Sequence, residues 1–175
     1  MSEETGMFMQ QVVKVEYDMQ PTPLQRHYGK QMAKRRIIAH KCPECDLVYV
    51  PPRGYCPICV VETSEEHEVE IEPKGTITTF TVVNPIQYQG QQEKDVYVLA
   101  SILLDGASMT IGQQRIGEIP PDEVRTGMRV EAEWASDADG DGGGGRNAMM
   151  GSGIAHWGPS GEPDVPLEKF KDHIL

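Results

Sequence analysis

Apolar positions recur along this chain with two different periods, and the switch between them divides it. From Pro23, a residue suited to the first turn of a helix, the positions Leu24, Tyr28, Gln31/Met32 and Arg35 return at three- and four-residue steps, which predicts one helix over residues 23–36. Past residue 73 the period becomes that of sheet. Gly75 to Asn84 is rich in β-branched residues and bounded by Gly and by Asn84-Pro85, and a second run follows from Val96 to Leu104. Asp105-Gly106 between apolar runs predicts a tight turn, so residues 96–104 pair with 107–113 as a hairpin. Ile116 to Ile119 reads as a short connection or strand. Pro120-Pro121-Asp122-Glu123-Val124 reads as a helix start, and Gly127 to Trp134 alternates like a half-buried strand. Ile154-Ala155-His156-Trp157 supplies a last strand that closes the sheet.

The segments between these elements have other compositions. Residues 1–22 lack clear periodicity and form an N-terminal arm; Glu62 to Glu72 is an acidic linker; residues 136–148, with their glycine run, have nothing to bury and form a mobile loop; residues 159–175 are a C-terminal tail. The expected organisation is therefore an arm (1–22), a helix (23–36), a cysteine-bearing unit (37–62), a β domain (73–158) and a tail (159–175). At 175 residues the chain can bury one ordinary core plus a small stapled unit, and with 6% aromatic residues that core is aliphatic.

The stapled unit is the most specific feature. Cys42-Pro43-Glu44-Cys45 and Cys56-Pro57-Ile58-Cys59 are two C-x-x-C pairs, each able to chelate one ion from a tight turn. Four thiolates suit tetrahedral zinc at ~2.3 Å and leave no position for water or substrate, so such a site is structural. Iron in the same geometry remains open at the level of sequence. The prolines stiffen each turn, and Gly54 between the pairs permits unusual dihedrals. The N-terminus has neither the basic start nor the apolar middle of a secretory signal, and no stretch approaches the ~20 apolar residues of a membrane-spanning helix. The expected compartment is the cytoplasm, where paired cysteines hold metals more often than disulfides.

Charge narrows the partners. A formal net charge of −11 opposes attraction to nucleic acid or anionic lipid as a whole-molecule property. Against that background Arg26, Lys30, Lys34, Arg35 and Arg36 are concentrated in one short stretch, either as a solvated helix face or as a contact for an acidic partner or a phosphate-bearing ligand. Other motifs dissolve on inspection. Asp137, Asp139 and Asp141 alternate as in a calcium loop, yet the completing Glu is missing; the glycine run lacks the Lys-Ser/Thr of a phosphate cradle. The histidines at 27, 40, 67, 156 and 173 are scattered, and no Ser or Cys nucleophile stands beside a recognisable base.

The order of a basic helix, the ribbon from Cys42 through Pro51-Pro52-Arg53-Gly54-Tyr55 to Cys59, and a five-strand β pattern is distinctive. With Gly75 to Val83, the Leu103-Leu104-Asp105-Gly106 turn and Gly127-Met128-Arg129-Val130, it resembles the acyl-CoA-associated OB-fold family that carries an N-terminal rubredoxin-like zinc ribbon, long catalogued as a domain of unknown function. The resemblance covers roughly residues 20–158. It implies a mainly β fold: an N-terminal helix, a zinc ribbon and a five-stranded OB-fold barrel. It also implies an accessory role beside a thiolase-superfamily enzyme that acts on acyl-CoA thioesters, as in thiolysis or the aldolase step of steroid side-chain degradation. This chain departs from the family in its long glycine-rich loop and in its ending, Ala155-His156-Trp157-Gly158-Pro159. The rival expectation is a zinc-ribbon and OB-fold protein that binds single-stranded nucleic acid; the scarcity of strand aromatics, only Phe80, Tyr97 and Trp134, stands against it.

Overall fold

The computed structural model describes residue 13 and residues 20–85, 95–135 and 153–173. Most of the expected arm, the 136–148 loop and the last two residues of the tail lie outside the described residues.

Helix α1 spans Pro23–Met32. Thr22 starts it with a capping box: its hydroxyl accepts from the Gln25 amide at 3.2 Å, and the Gln25 side chain accepts from the Thr22 amide at 2.8 Å. The helix is shorter than the predicted 23–36. Arg35 takes a left-handed conformation (φ 60°), its amide reaches the Met32 carbonyl at 2.8 Å, and the Arg36 amide reaches the Gln31 carbonyl at 3.0 Å. These are the two bonds of a Schellman ending. Glycine ordinarily holds the left-handed position; with arginine there, the stop carries no sequence signal.

The reversal delivers the chain into strand β1 (Ile37–Lys41), the centre of a three-stranded antiparallel sheet. Its neighbours are β2 (Val48–Tyr49) and β3 (Glu68–Ile71). Strand β3 corrects the reading of 62–72 as a linker: Ile37 pairs with Ile71 and His40 with Glu68. Four residues alternating Glu with Val and Ile inside a charge run are too short for the period to stand out. Ile37, Ile38, Ala39 and His40 are all buried, and Tyr28 and Met32 of α1 join Ile37–Ala39 and Ile71 in one apolar cluster.

That cluster continues without a break into a closed barrel of strand order β4-β5-β6-β8-β7: β4 (Lys74–Val83), β5 (Tyr97–Leu104), β6 (Thr110–Ile116), β7 (Arg129–Trp134) and β8 (Ile154–Pro159). Strands β4 and β5 pair from Gly75↔Leu104 to Val83↔Tyr97. The predicted turn is at Asp105-Gly106, with Gly106 at φ 86°. Gly75 is needed where it stands, since a Cβ there would sit 2.6 Å from the Leu103 carbonyl oxygen. Strand β8 closes the barrel, antiparallel to β7 and meeting β6 in parallel at Ile116↔Trp157. Trp157 is fully buried, and its indole N–H donates to Gln114 Oε1 at 3.1 Å.

The predicted helix start at Pro120–Val124 is instead a turn, held by a Glu123 amide to Pro120 carbonyl bond of 3.0 Å. Val124 and Met128 are drawn inward to fill one end of the core, which stops the turn from propagating. The tail folds back over this same end. Val165 donates to the Gly127 carbonyl at 2.8 Å, Arg125 pairs with Asp164, and Phe170 is buried. A Cβ on Gly127 would meet the Val165 carbonyl oxygen at 2.6 Å. Arg129, with a side chain only 10% exposed, ties the two parts: it donates to Asp105 and Thr76 and to Glu162, which Lys74 also reaches at 3.2 Å.

Two outcomes follow for the tail. Phe170→Ala removes a buried ring and lowers the unfolding free energy by about 3 kcal/mol in urea titrations, although it stands five residues from the end. The hydrogen bonds of Arg129 and then Lys74 hold the Glu162 carboxyl below its ordinary 4.5. A depressed folded value means that the stabilisation is complete above pH 4.5 and is lost as pH falls through the lowered value. The protection factors of residues 160–173, exchange rates corrected for their intrinsic pH dependence, therefore fall in that acid window, and Glu162→Gln flattens the fall.

Candidate metal centre

The two cysteine pairs fold into knuckles with the same hydrogen-bond pattern. In the first, the Cys42 amide donates to the Leu47 carbonyl (2.8 Å) and the Asp46 amide to the Cys42 carbonyl (3.1 Å). In the second, the Cys56 amide donates to the Val61 carbonyl (2.8 Å) and the Val60 amide to the Cys56 carbonyl (2.9 Å). Each knuckle turns through a left-handed residue after its second cysteine, Asp46 at φ 59° and Val60 at φ 58°. Strand β2 then returns along β1, and Tyr55 bridges to Glu62, so the knuckles face each other.

The sulfurs of Cys42, Cys45, Cys56 and Cys59 all lie within 4.8 Å of one another, and those of Cys45 and Cys56 are 3.6 Å apart. A tetrahedron of Zn–S bonds of ~2.3 Å has edges of about 3.8 Å, so the set fits one zinc with little adjustment. Cys42 and Cys56 are buried, Cys45 and Cys59 half-buried. The Glu44 and Cys59 amides point at the sulfurs of Cys42 and Cys56 at 3.4 Å, and the Tyr49 hydroxyl lies 3.2 Å from the Cys56 sulfur. Burial opposes ionising Cys56, but the Cys59 amide, the Tyr49 hydroxyl and the Ile58 amide outweigh it and lower the thiol to about 6. The hydrogen bond with Cys45, followed by burial, pushes Cys59 up to about 12. Without a cation the four cannot all be thiolates at this separation; a dication resolves that conflict and ties Cys42 to Cys59 across the ribbon.

Beside the knuckles lies a group that the sequence left scattered. His27 of α1 approaches Glu68 of β3 at 2.7 Å and Glu65 at 3.8 Å, and His67 accepts from the Ser64 amide at 3.1 Å. His40 is 1% exposed and contacts the Thr63 hydroxyl at 3.0 Å, and its burial is the first cause that pushes the imidazole below its ordinary 6.5. Its Nε2 has no hydrogen-bond partner among the described residues. No local motif announces this group, because α1, β1 and the segment 63–68 meet only in the folded chain.

The basic residues separate. Arg26, Lys30 and Lys34 recur every fourth position along the exposed side of α1 and its end, whereas Arg36 is spent on Glu70 at 2.7 Å. Lys30, Lys34, Arg35 and Arg53 meet no carboxylate within ion-pair distance among the described residues. Arg26 instead donates to the Pro21 carbonyl at 2.9 Å.

Comparison with known proteins agrees with this architecture. The family model described as the ChsH2 rubredoxin-like zinc ribbon domain matches residues 31–62, and that described as the ChsH2 C-terminal OB-fold domain matches residues 68–135. The cysteine unit is thus a zinc ribbon, and its metal is structural zinc. A DUF35 domain-containing scaffold protein of Methanocaldococcus jannaschii is 34% identical over 96 residues, covering 55% of this chain and 65% of that protein. One from Methanothermobacter thermautotrophicus is 32% identical over 98 residues, covering 54% of this chain and 68% of its own length. The chain thus spans just under two thirds of the first of these relatives. Two solved structures share the fold at 20% identity. A DUF35 protein of unknown function from Sulfolobus solfataricus has a TM-score of 0.50 over 63% of this chain and 77% of its own. The Ltp2-ChsH2(DUF35) aldolase has 0.53 over 68% and 89%.

The ribbon's dependence on its metal is directly measurable. Wild-type chain is expected to carry one zinc by elemental analysis, lost to a strong chelator or on acidification through the thiolate range. Cys56→Ser drops zinc well below stoichiometry and unfolds the ribbon, read as collapse of amide dispersion for residues 37–71.

Proposed function

We propose that this chain, which belongs to the DUF35 family of zinc-ribbon and OB-fold proteins, is a non-catalytic accessory subunit that binds and stabilises a thiolase-superfamily enzyme. The enzyme, a thiolase or retro-aldolase, acts on acyl-CoA thioesters in the cytoplasm, and the aldolase step of steroid side-chain degradation is the reaction we favour. The observation that carries the reading is the closed four-sulfur shell: the most organised chemical feature of the chain has every metal position filled by protein and so builds shape. Two relatives bear the name of scaffold proteins, and a similar fold is found in a solved aldolase named with its DUF35 component. The exposed cations Arg26, Lys30, Lys34 and Arg35, unusual in a chain of net charge −11, meet either the acidic surface of that enzyme or the nucleotide phosphates of its coenzyme A substrate. Arg36, committed to Glu70, belongs to the fold instead.

Affinity purification of the tagged chain from its own host, with native mass spectrometry of the eluate, tests the reading. A thiolase-like protein recovered at fixed stoichiometry, with acyl-CoA turnover that the isolated chain lacks, is the expected result. Recovery of single-stranded nucleic acid with a steep salt dependence, or turnover by this chain alone, would overturn it.

A further inference from the structure

The two zinc knuckles have the same backbone and different surfaces. Matched through their hydrogen bonds, Glu44 corresponds to Ile58 and Asp46 to Val60. The first knuckle presents two carboxylates to water, and Asp46 is further paired with Lys41 at 2.9 Å. The second presents Ile58 at 70% and Val60 at 81% exposure, with Tyr55 at 52% beside them. Val60 is doubly misplaced for a free surface, being β-branched in a left-handed conformation where aspartate is far better tolerated, and bare to solvent. Nothing in the ribbon requires this, since the sister knuckle makes the same turn with Glu and Asp.

We infer that the second knuckle, through Tyr55, Ile58 and Val60, is the apolar anchor by which this chain docks on its partner enzyme. The inference rests on the accessory-subunit reading and names its contact surface. Charge selects the occupant. Arg53 adjoins the knuckle, and α1 begins against it, with Leu24 packed 3.5 Å from where a Cβ of Gly54 would lie. Arg53 and, further along α1, Lys30 have no carboxylate partner among the described residues, although the chain has 27 acidic residues against 16 Lys and Arg. The complementary surface is therefore a folded protein face with an apolar recess and a carboxylate rim. An anionic membrane would attract the same side chains locally, but its extended charge also faces the acidic remainder of the chain, which a bounded protein face does not.

The sister knuckle supplies the test. The double variant Ile58→Glu/Val60→Asp gives the second knuckle the residues that the first already carries in the same turn. It is expected to keep its zinc and to melt no lower than wild type, yet to bind the purified thiolase-like subunit at least tenfold more weakly by calorimetry. Equal binding by variant and wild type overturns this inference alone; failure of the wild type to bind overturns the accessory-subunit reading beneath it. Amide exchange on the wild-type chain keeps the matter decidable should the variant lose zinc. Slowing across residues 54–61 only when the enzyme is added is the expected result. Protection that does not rise above the free chain's own level when the enzyme is added overturns the inference, and so does protection gained with anionic phospholipid vesicles instead of the enzyme.

Discussion

Everything N-terminal of the barrel depends on one electrostatic conflict and its resolution. Four sulfurs within 4.8 Å of each other cannot all ionise unaided, and the ribbon between them buries little besides Cys42, Tyr49, Val50 and Cys56. A unit of this size lacks the apolar area to hold itself together, so the free energy of metal binding becomes its folding energy. The metal ties the knuckles, the knuckles set where β2 turns back, and β2 and β3 hold β1 in place. Because β1 is buried along four consecutive residues and shares its core with the barrel, the zinc ultimately positions α1 against the rest of the molecule.

The tail is secured without a metal. Arg129 lies on the strand that joins β4 to β8, and its guanidinium gathers Asp105 from the β5–β6 turn, Thr76 from β4 and Glu162 from the tail. A planar fork of donors suits a meeting point of several acceptors, where an ammonium group would satisfy fewer of them in fixed directions. This network is half exposed at its carboxylates, so its value is geometric more than energetic: it fixes the tail so that Phe170 can bury.

What the sequence revealed and what it hid follow a physical rule. The cysteine spacing, the Asp105-Gly106 turn, the apolar run of β5 and the alternation of β7 were legible because each is a local pattern whose cause lies within a few residues. Strand β3 was not, since its four residues become a strand only by pairing with β1. The end of α1 was overrun because arginine occupies a position where glycine would have announced the stop. The turn at Pro120 had proline and acidic residues in the places a helix start prefers, and lost to the burial of Val124 and Met128. The His27, Glu65 and Glu68 group, assembled from segments forty residues apart, had no sequence signal at all.

The knuckles carry this rule one step further. Sequence spacing treats the two C-P-x-C pairs as equivalent, and the backbone agrees, down to the left-handed residue after each second cysteine. Equivalent geometry removes folding as an explanation for unequal side chains. Whatever makes Val60 a poorer choice than aspartate for the turn is uncompensated within the ribbon itself, as is the exposure of Ile58. A local choice that opposes the fold while its twin obeys it points outside the chain, to a surface that these side chains meet only when the chain is not alone.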